Sequence, residues 1–287
     1  MKKETRYRLM LIASMAVFGT IGLFVRRIGV PSGELALYRA ILAVLLLGGV
    51  LLVGRQRIHF AELKKELLLL FVSGAAMGIN WILLFEAYKY TTVSVATLSY
   101  YFAPVIVTAV CPILFKERLG GKQILCFGMS TLGLVLIVGA NGGAGSNLVG
   151  ILFGLSAAVF YATVVILNKF IRNVTGLQRT FLQFLSAVVV LLPYVLMTGG
   201  FTLTSLDGVR WGYLLVVGLL HTGVTYCLYF SSLKELPGQE SAILSYIDPL
   251  VAVLVSVALL GEPMTLWQVV GGSLILGFTL WNEIKSK

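Results

Sequence analysis

The chain has 287 residues, 58% of them hydrophobic and 12% charged, with a mean hydropathy of +0.95. A soluble chain carries roughly 45–50% apolar and about 25% charged residues, so the composition excludes an ordinary soluble domain and indicates an all-α polytopic membrane protein. The net charge of +10 sits in short clusters between apolar runs, with no basic face interleaved with aromatics, which argues against nucleic acid as a partner.

Lys2, Lys3, Arg6 and Arg8 precede an apolar run at 9–25, as in a secretory signal peptide. No small-x-small cleavage site closes that run and Arg26 and Arg27 follow it directly, so it reads as an uncleaved first helix. Spanning a hydrocarbon core takes about 20 largely apolar residues. On that criterion ten segments are drawn, at 9–25, 32–53, 67–88, 92–115, 123–140, 148–167, 180–198, 211–233, 237–260 and 264–282. Pro31 and Pro237 are expected at first helical positions, where the missing amide has no intrahelical acceptor in any case. The polar link 141–147, NGGAGSN, does not accommodate GxGxxG and reads as a flexible linker. Gly74 and Gly78, and more loosely Gly128 and Gly133, have spacings that let helices approach closely, with packing the plainer reading and contacts between two copies left open. Cys111, Cys126 and Cys227 lie in apolar runs without paired spacing and read as packing residues.

The chain repeats itself. At an offset of 145, Tyr246 falls on Tyr101, Pro249 on Pro104, Glu262 on Glu117, Gln268 on Gln123, Lys234 on Lys89 and Gly223 on Gly78. At an offset of 142, Ser156, Ala158, Val159, Phe160 and Val165 fall on Ser14, Ala16, Val17, Phe18 and Leu23. Repeats of residues 1–140 and 148–287 follow, joined by an extracytoplasmic linker. Five helices per half is odd, so the second half enters the membrane from the opposite side, as an inverted repeat. With both termini in the cytoplasm, 17 basic residues fall inside, among them Arg55, Lys64, Lys65, Lys169, Arg172 and Arg179. Four fall outside, Arg26, Arg27, Lys89 and Arg210, a strong positive-inside bias that suits the plasma or inner membrane.

The ten segments in two halves, the run LYRAILAVLLL around Arg39, FKERL at 115–119 and YIDPLVAVLVSVALLGEP at 246–263 resemble the EamA-type branch of the drug/metabolite transporter superfamily. The resemblance covers nearly the whole chain. It implies a small-molecule carrier, often an exporter of amino acids or other metabolites, with a central cavity between the halves. It also implies an acid before the helix-9 proline and a GE pair before the last helix, here Asp248 and Gly261–Glu262. The first half carries Ala103 where the second has Asp248, so any role of this acid is asymmetric.

Asp248 lies eleven residues after Pro237, about 16 Å into its helix and near the middle of a core about 30 Å thick. A charge there is costly and usually lines a cavity or finds a partner; the plainer reading is a structural acid bonded to backbone freed by Pro249. Pro104 and Pro249 are read as helix breaks. Arg39, eight residues after Pro31 and about 12 Å from the outer end of its helix, invites pairing with Asp248, Glu34 or Glu86, contact with a substrate carboxylate, or snorkelling to the surface. Tyr101 and Tyr246, each three residues before a proline, form a symmetric pair for a substrate pathway, with Asn80, Trp81, Tyr161 and Tyr226 as further members. Tyr88, near a helix end, reads as an interface anchor, and His221 as a proton relay or a locally bonded histidine.

The function these features favour is a secondary transporter of a small organic metabolite such as an amino acid or amine, import or export, with a coupling proton or ion left open. The alternative is a membrane-embedded enzyme, for which no HExxH, nucleophile–base pair or paired carboxylates are found. An assembly or sensor role lacks a sizeable extramembrane domain. No cofactor or metal is expected, and the partners are the solute and the bilayer, with the chain a monomer or homodimer.

Overall fold

The computed structural model describes residues 3–55, 58, 63–115, 120–140, 146–174 and 176–284. Residues 141–145 of the linker and 116–119 of the FKERL run, with Lys2, Arg57, Lys285 and Lys287, lie outside the described residues. The described chain is helical, without a strand. In order it forms α1 (Lys3–Gly19), α2 (Ile21–Ile28), α3 (Ser32–Val53), α4 (Leu67–Tyr90), α5 (Val93–Tyr100), α6 (Ala103–Phe115) and α7 (Gly121–Ala140). There follow α8 (Ser146–Asn168), α9 (Gly176–Thr198), α10 (Gly208–Leu215), a π-helical stretch (Val216–Val224), α11 (Thr225–Glu235), α12 (Gly238–Ser245), α13 (Ile247–Ala258) and α14 (Leu266–Glu283).

Among the described residues, eight helical runs are long and apolar enough to cross a bilayer, and a shorter apolar run covers Ile243–Ala258. The segments expected at 237–260 and 264–282 correspond to that shorter run with α12, and to α14, which fall outside the criterion. Four expected helices are not uniform α-helices: three are stepped and one changes its pitch. The first turns at Thr20 between α1 and α2, and α10 runs into α11 through the π-helical stretch. The expected helix 92–115 is two helices meeting at Tyr101 and Phe102, and 237–260 is two meeting at Tyr246.

The breaks lie two or three residues before the prolines rather than at them. Pro104 and Pro249 occupy the first turns of α6 and α13, where a missing amide costs no intrahelical bond. Pro31 and Pro237 likewise stand one residue earlier than expected, as the caps of α3 and α12, their carbonyls accepting from Leu35 and Ser241.

Glycines set the closest helix approaches. Gly133 of α7 and Gly271 of α14 each lie against the other's carbonyl. Gly74 packs on the Gln183 carbonyl, Gly78 on Leu191, and Gly223 on Leu46. Gly128 faces open space and takes no part in this packing, so the looser Gly128–Gly133 spacing divides into one packing glycine and one idle. A main core joins α3, α4 and α9 around Leu47, Phe85, Phe184 and Leu191.

Candidate functional site

Both helix breaks face one cavity of about 320 Å³, within the range of about 300–1,000 Å³ usual for small-molecule sites. Tyr101 and Pro104 reach it from the α5–α6 break, and Ser245, Tyr246 and Asp248 from the α12–α13 break. At each break one half-helix ends and another begins, so carbonyl and amide dipoles both converge near the cavity. Asp248 stands in the first turn of α13, where a carboxylate complements the helix dipole. Tyr101 donates its hydroxyl hydrogen to Asp248 Oδ2 at 2.6 Å, tying one break to the other.

Arg39 enters from α3. Its guanidinium sits 4.2 Å from the Trp81 ring centroid and 5.8 Å from that of Phe85, and Nε donates to Thr222 Oγ1 at 2.6 Å. Thr222 in turn donates its hydroxyl hydrogen to the Val217 carbonyl five residues back, a bond the π-helical geometry provides. Arg39 is 5% exposed and therefore does not snorkel to the surface. It shares the cavity with Asp248, but no ion pair joins them. Glu34 accepts instead from the Thr202 backbone and hydroxyl and from Tyr38, and Glu86 pairs with Lys89. None of the three expected carboxylate partners binds Arg39.

Trp81, Leu84, Phe85 and Tyr88 form one cavity-facing stripe of α4. Tyr88 is buried there and is not an interface anchor. Tyr161 comes from α8, and Tyr226 and Tyr229 from α11; Tyr226 is wedged against Phe18 and Phe184 with ring centroids 5.1 and 5.3 Å away. Asn80 does not reach the cavity. It is 2% exposed and donates to the Ala157 carbonyl at 2.7 Å, fastening α4 to α8. Pro249 is buried behind Asp248 and does not line the space. His221 bonds Thr20 Oγ1 at 2.9 Å and the Val216 carbonyl at 3.2 Å, joining the step in the first helix to the π-helical stretch, outside the cavity lining.

Beyond Tyr88 in the chain, a polar cluster joins the start of α5 to the segment before α14. The Glu262 carboxylate accepts from the Val93 amide at 2.7 Å and from the Ser256 hydroxyl, and pairs with Arg26 at 2.9 Å. Arg26 also donates to the Thr91 carbonyl. Gly261, at φ +66°, supplies the left-handed turn that aims Glu262 back at the start of α5. At one end the cavity lining reaches Glu283, which is exposed.

The sequence matches the EamA-like transporter family twice, over residues 5–139 and again over 148–282. The chain belongs to that family. Among similar proteins, an uncharacterized transporter of Bacillus subtilis (strain 168), YxxF, is 31% identical over 277 residues, covering 94% of this chain and 87% of that protein. An uncharacterized transporter of Archaeoglobus fulgidus is 30% identical over 278 residues and 95% of both chains. A solved crystal structure, 17% identical, superposes with a TM-score of 0.64 over 96% of this chain and 95% of the other, a likeness of fold. This EamA-like chain is accordingly a multi-pass membrane protein of a transporter family, and its relatives carry transporter names.

Sequence reasoning missed Thr222, and of the α4 stripe it named only Trp81 for the pathway. The stripe was readable, since residues 81, 84, 85 and 88 recur at helical spacing on one face. Thr222 was not, because its contact with Arg39 joins positions 183 residues apart through a π-helical stretch that leaves no periodic trace.

Proposed function

We propose that the protein is a secondary transporter that moves a small organic metabolite, of the amino acid or amine class, by alternating access between two inverted five-helix repeats, residues 1–140 and 148–287. The observation that carries the reading is the cavity between paired helix breaks, one from each half, at Tyr101 and Tyr246. Interrupted helices at mid-depth are the usual way a carrier presents backbone dipoles to a solute.

The repeat has independent support. The packing of α4 on α8 has its counterpart in α1 on α11, that of α4 on α9 in α3 on the π-helical stretch, and that of α5 and α6 on α8 in α12 and α13 on α1. Gly78 against Leu191 and Gly223 against Leu46 are the same contact under the offset of 145. Gln123 and Gln268, also repeat mates, each accept from the amide three residues earlier, Gly120 and Thr265. The family match to each half agrees with this division.

The charge bias orients the ten spans with both termini in the cytoplasm of a plasma or inner membrane. The Arg26–Glu262 seal then closes the outer end and the Glu283 mouth faces the cytoplasm, so the arrangement is inward-facing. No ATP-binding loop is found in the sequence, and an ion or solute gradient is the driving force this reading assigns.

Purified protein in liposomes, offered a mixture of candidate metabolites, tests the proposal. Accumulation of an unchanged solute beyond that in empty liposomes is expected. Chemical conversion without translocation would favour the membrane-embedded enzyme instead.

A further inference from the structure

Arg39 is a buried cation with unspent bonding capacity. A guanidinium carries five N–H donors, and among the described residues only Nε has an acceptor, Thr222 Oγ1. The Trp81 face holds the group through a cation–π contact at 4.2 Å, without occupying its Nη donors. A buried charge is normally paired or fully hydrogen-bonded, yet Arg39 is 5% exposed, has no carboxylate partner among the described residues and lines the cavity. The candidate acids are committed elsewhere or stand apart: Glu34 to Thr202 and Tyr38, Glu86 to Lys89, Asp248 to Tyr101.

We infer that Arg39 is the anion subsite of the cavity and determines specificity, so that the transported solute must carry a carboxylate. This rests on the transport reading above and narrows it, because it removes simple amines from the substrate class. The planar fork matches a carboxylate in two-point contact. The other ionisable acids on the cavity wall, Asp248 and Glu283, repel a dianion, which favours a single carboxylate over a phosphate. Asp248 in turn suits an ammonium group on the same solute. Thr222 and Trp81 are positioning residues, acting through Arg39 rather than on the solute.

The test compares probes that share a side chain and differ in charge: phenylalanine, phenethylamine and 3-phenylpropionate, then leucine, isopentylamine and 4-methylpentanoate. Binding to purified wild-type protein is read by thermal stabilisation and competition. Carboxylate-bearing probes are expected to bind and the amines not to; a single charge-assisted contact corresponds to about ten- to hundredfold in affinity. Arg39→Gln should abolish the preference for the carboxylate, Arg39→Lys should keep only part of it, and Thr222→Val should weaken it with the charge retained. The inference is overturned if an amine binds as tightly as its amino acid, if no carboxylate-bearing probe binds, or if a folded Arg39→Gln protein binds as wild type does. The comparison in wild-type protein requires no variant to fold. It also separates a subsite from a group that merely holds Asp248 ionised, since in that case the amine would bind as well as the amino acid. Flux of the same probes in liposomes distinguishes the two readings: Arg39-dependent binding without flux defeats transport and leaves the subsite, and flux indifferent to Arg39 does the reverse.

Discussion

Replacing Asp248 with Asn removes a charge while keeping size and an acceptor for the Tyr101 hydroxyl, which donates at 2.6 Å. A hydrogen bond to a charged group contributes about 1.5–3 kcal/mol and a neutral one about 0.5–1.5, so the bond between the two breaks weakens by roughly 1–1.5 kcal/mol. Against this, an acid at mid-membrane depth costs about 2.5–3.5 kcal/mol on insertion scales, and that cost is relieved in part in the variant, since a buried amide still costs about 1–3 kcal/mol. The opposing terms leave Asp248→Asn folded, with an unfolding temperature close to that of the wild type. Binding of a solute ammonium should suffer far more, since losing one partner of a desolvated charge pair costs about 2–5 kcal/mol, or roughly 30- to 4,000-fold. The assay is flux in proteoliposomes across a pH series, beside size-exclusion and thermal-unfolding checks. If the carboxylate must be ionised to act, wild-type flux falls as acid protonates it, while the variant is slow and flat with pH. Wild-type rates and an unchanged pH profile in the Asn protein would show that Asp248 only braces the helix break, and would refute the reasoning.

Three other outcomes are expected. Single cysteines in a cysteine-free background should label with an impermeant reagent from outside at 141–147 and from inside at 55–65 and 169–179; outside labelling of 55–65 would reverse the orientation. Gly133→Leu should destabilise the protein strongly, because a side chain there meets the Gly271 carbonyl and Leu274, leaving the neighbouring helix no room; an unchanged unfolding temperature would show that α7 and α14 are not held by this contact. Tyr101→Phe should keep the fold but alter the pH profile of flux, since it removes the donor on Asp248; a profile identical to wild type would make that bond incidental.

Hydropathy located the helical runs because bilayer-length apolar stretches leave few alternatives. The depths of Asp248 and Arg39, counted along their helices, put them at the level where they now share a cavity. What counting along a helix does not give is rotation about its axis. Asn80 and Trp81 are neighbours in sequence, yet Trp81 faces the cavity and Asn80 turns away to the Ala157 carbonyl. Tyr88 looked like an interface anchor by its place near a helix end, and only its alignment with Trp81 and Phe85 turns it inward. The prolines marked the breaks without positioning them, because proline is accommodated in a first turn and the chain therefore bends just before it. The failed pairing of Arg39 with an acid has the same origin: equal depth does not imply lateral contact, and Thr222 and Trp81 hold the guanidinium instead.

The central claim, one cavity opened to each side in turn, is tested most directly by accessibility. A Thr97→Cys variant places a thiol on the cavity wall in a background free of other cysteines, and an impermeant maleimide is applied to right-side-out or inverted vesicles. Alternating access is expected to give labelling from both sides. A second protein adds cysteines at 26 and 262, joined by a short reducible cross-linker before labelling; this should abolish labelling from outside, preserve it from inside, and reverse on reduction. Labelling from one side only, or outside labelling that persists with the cross-link in place, would contradict the account.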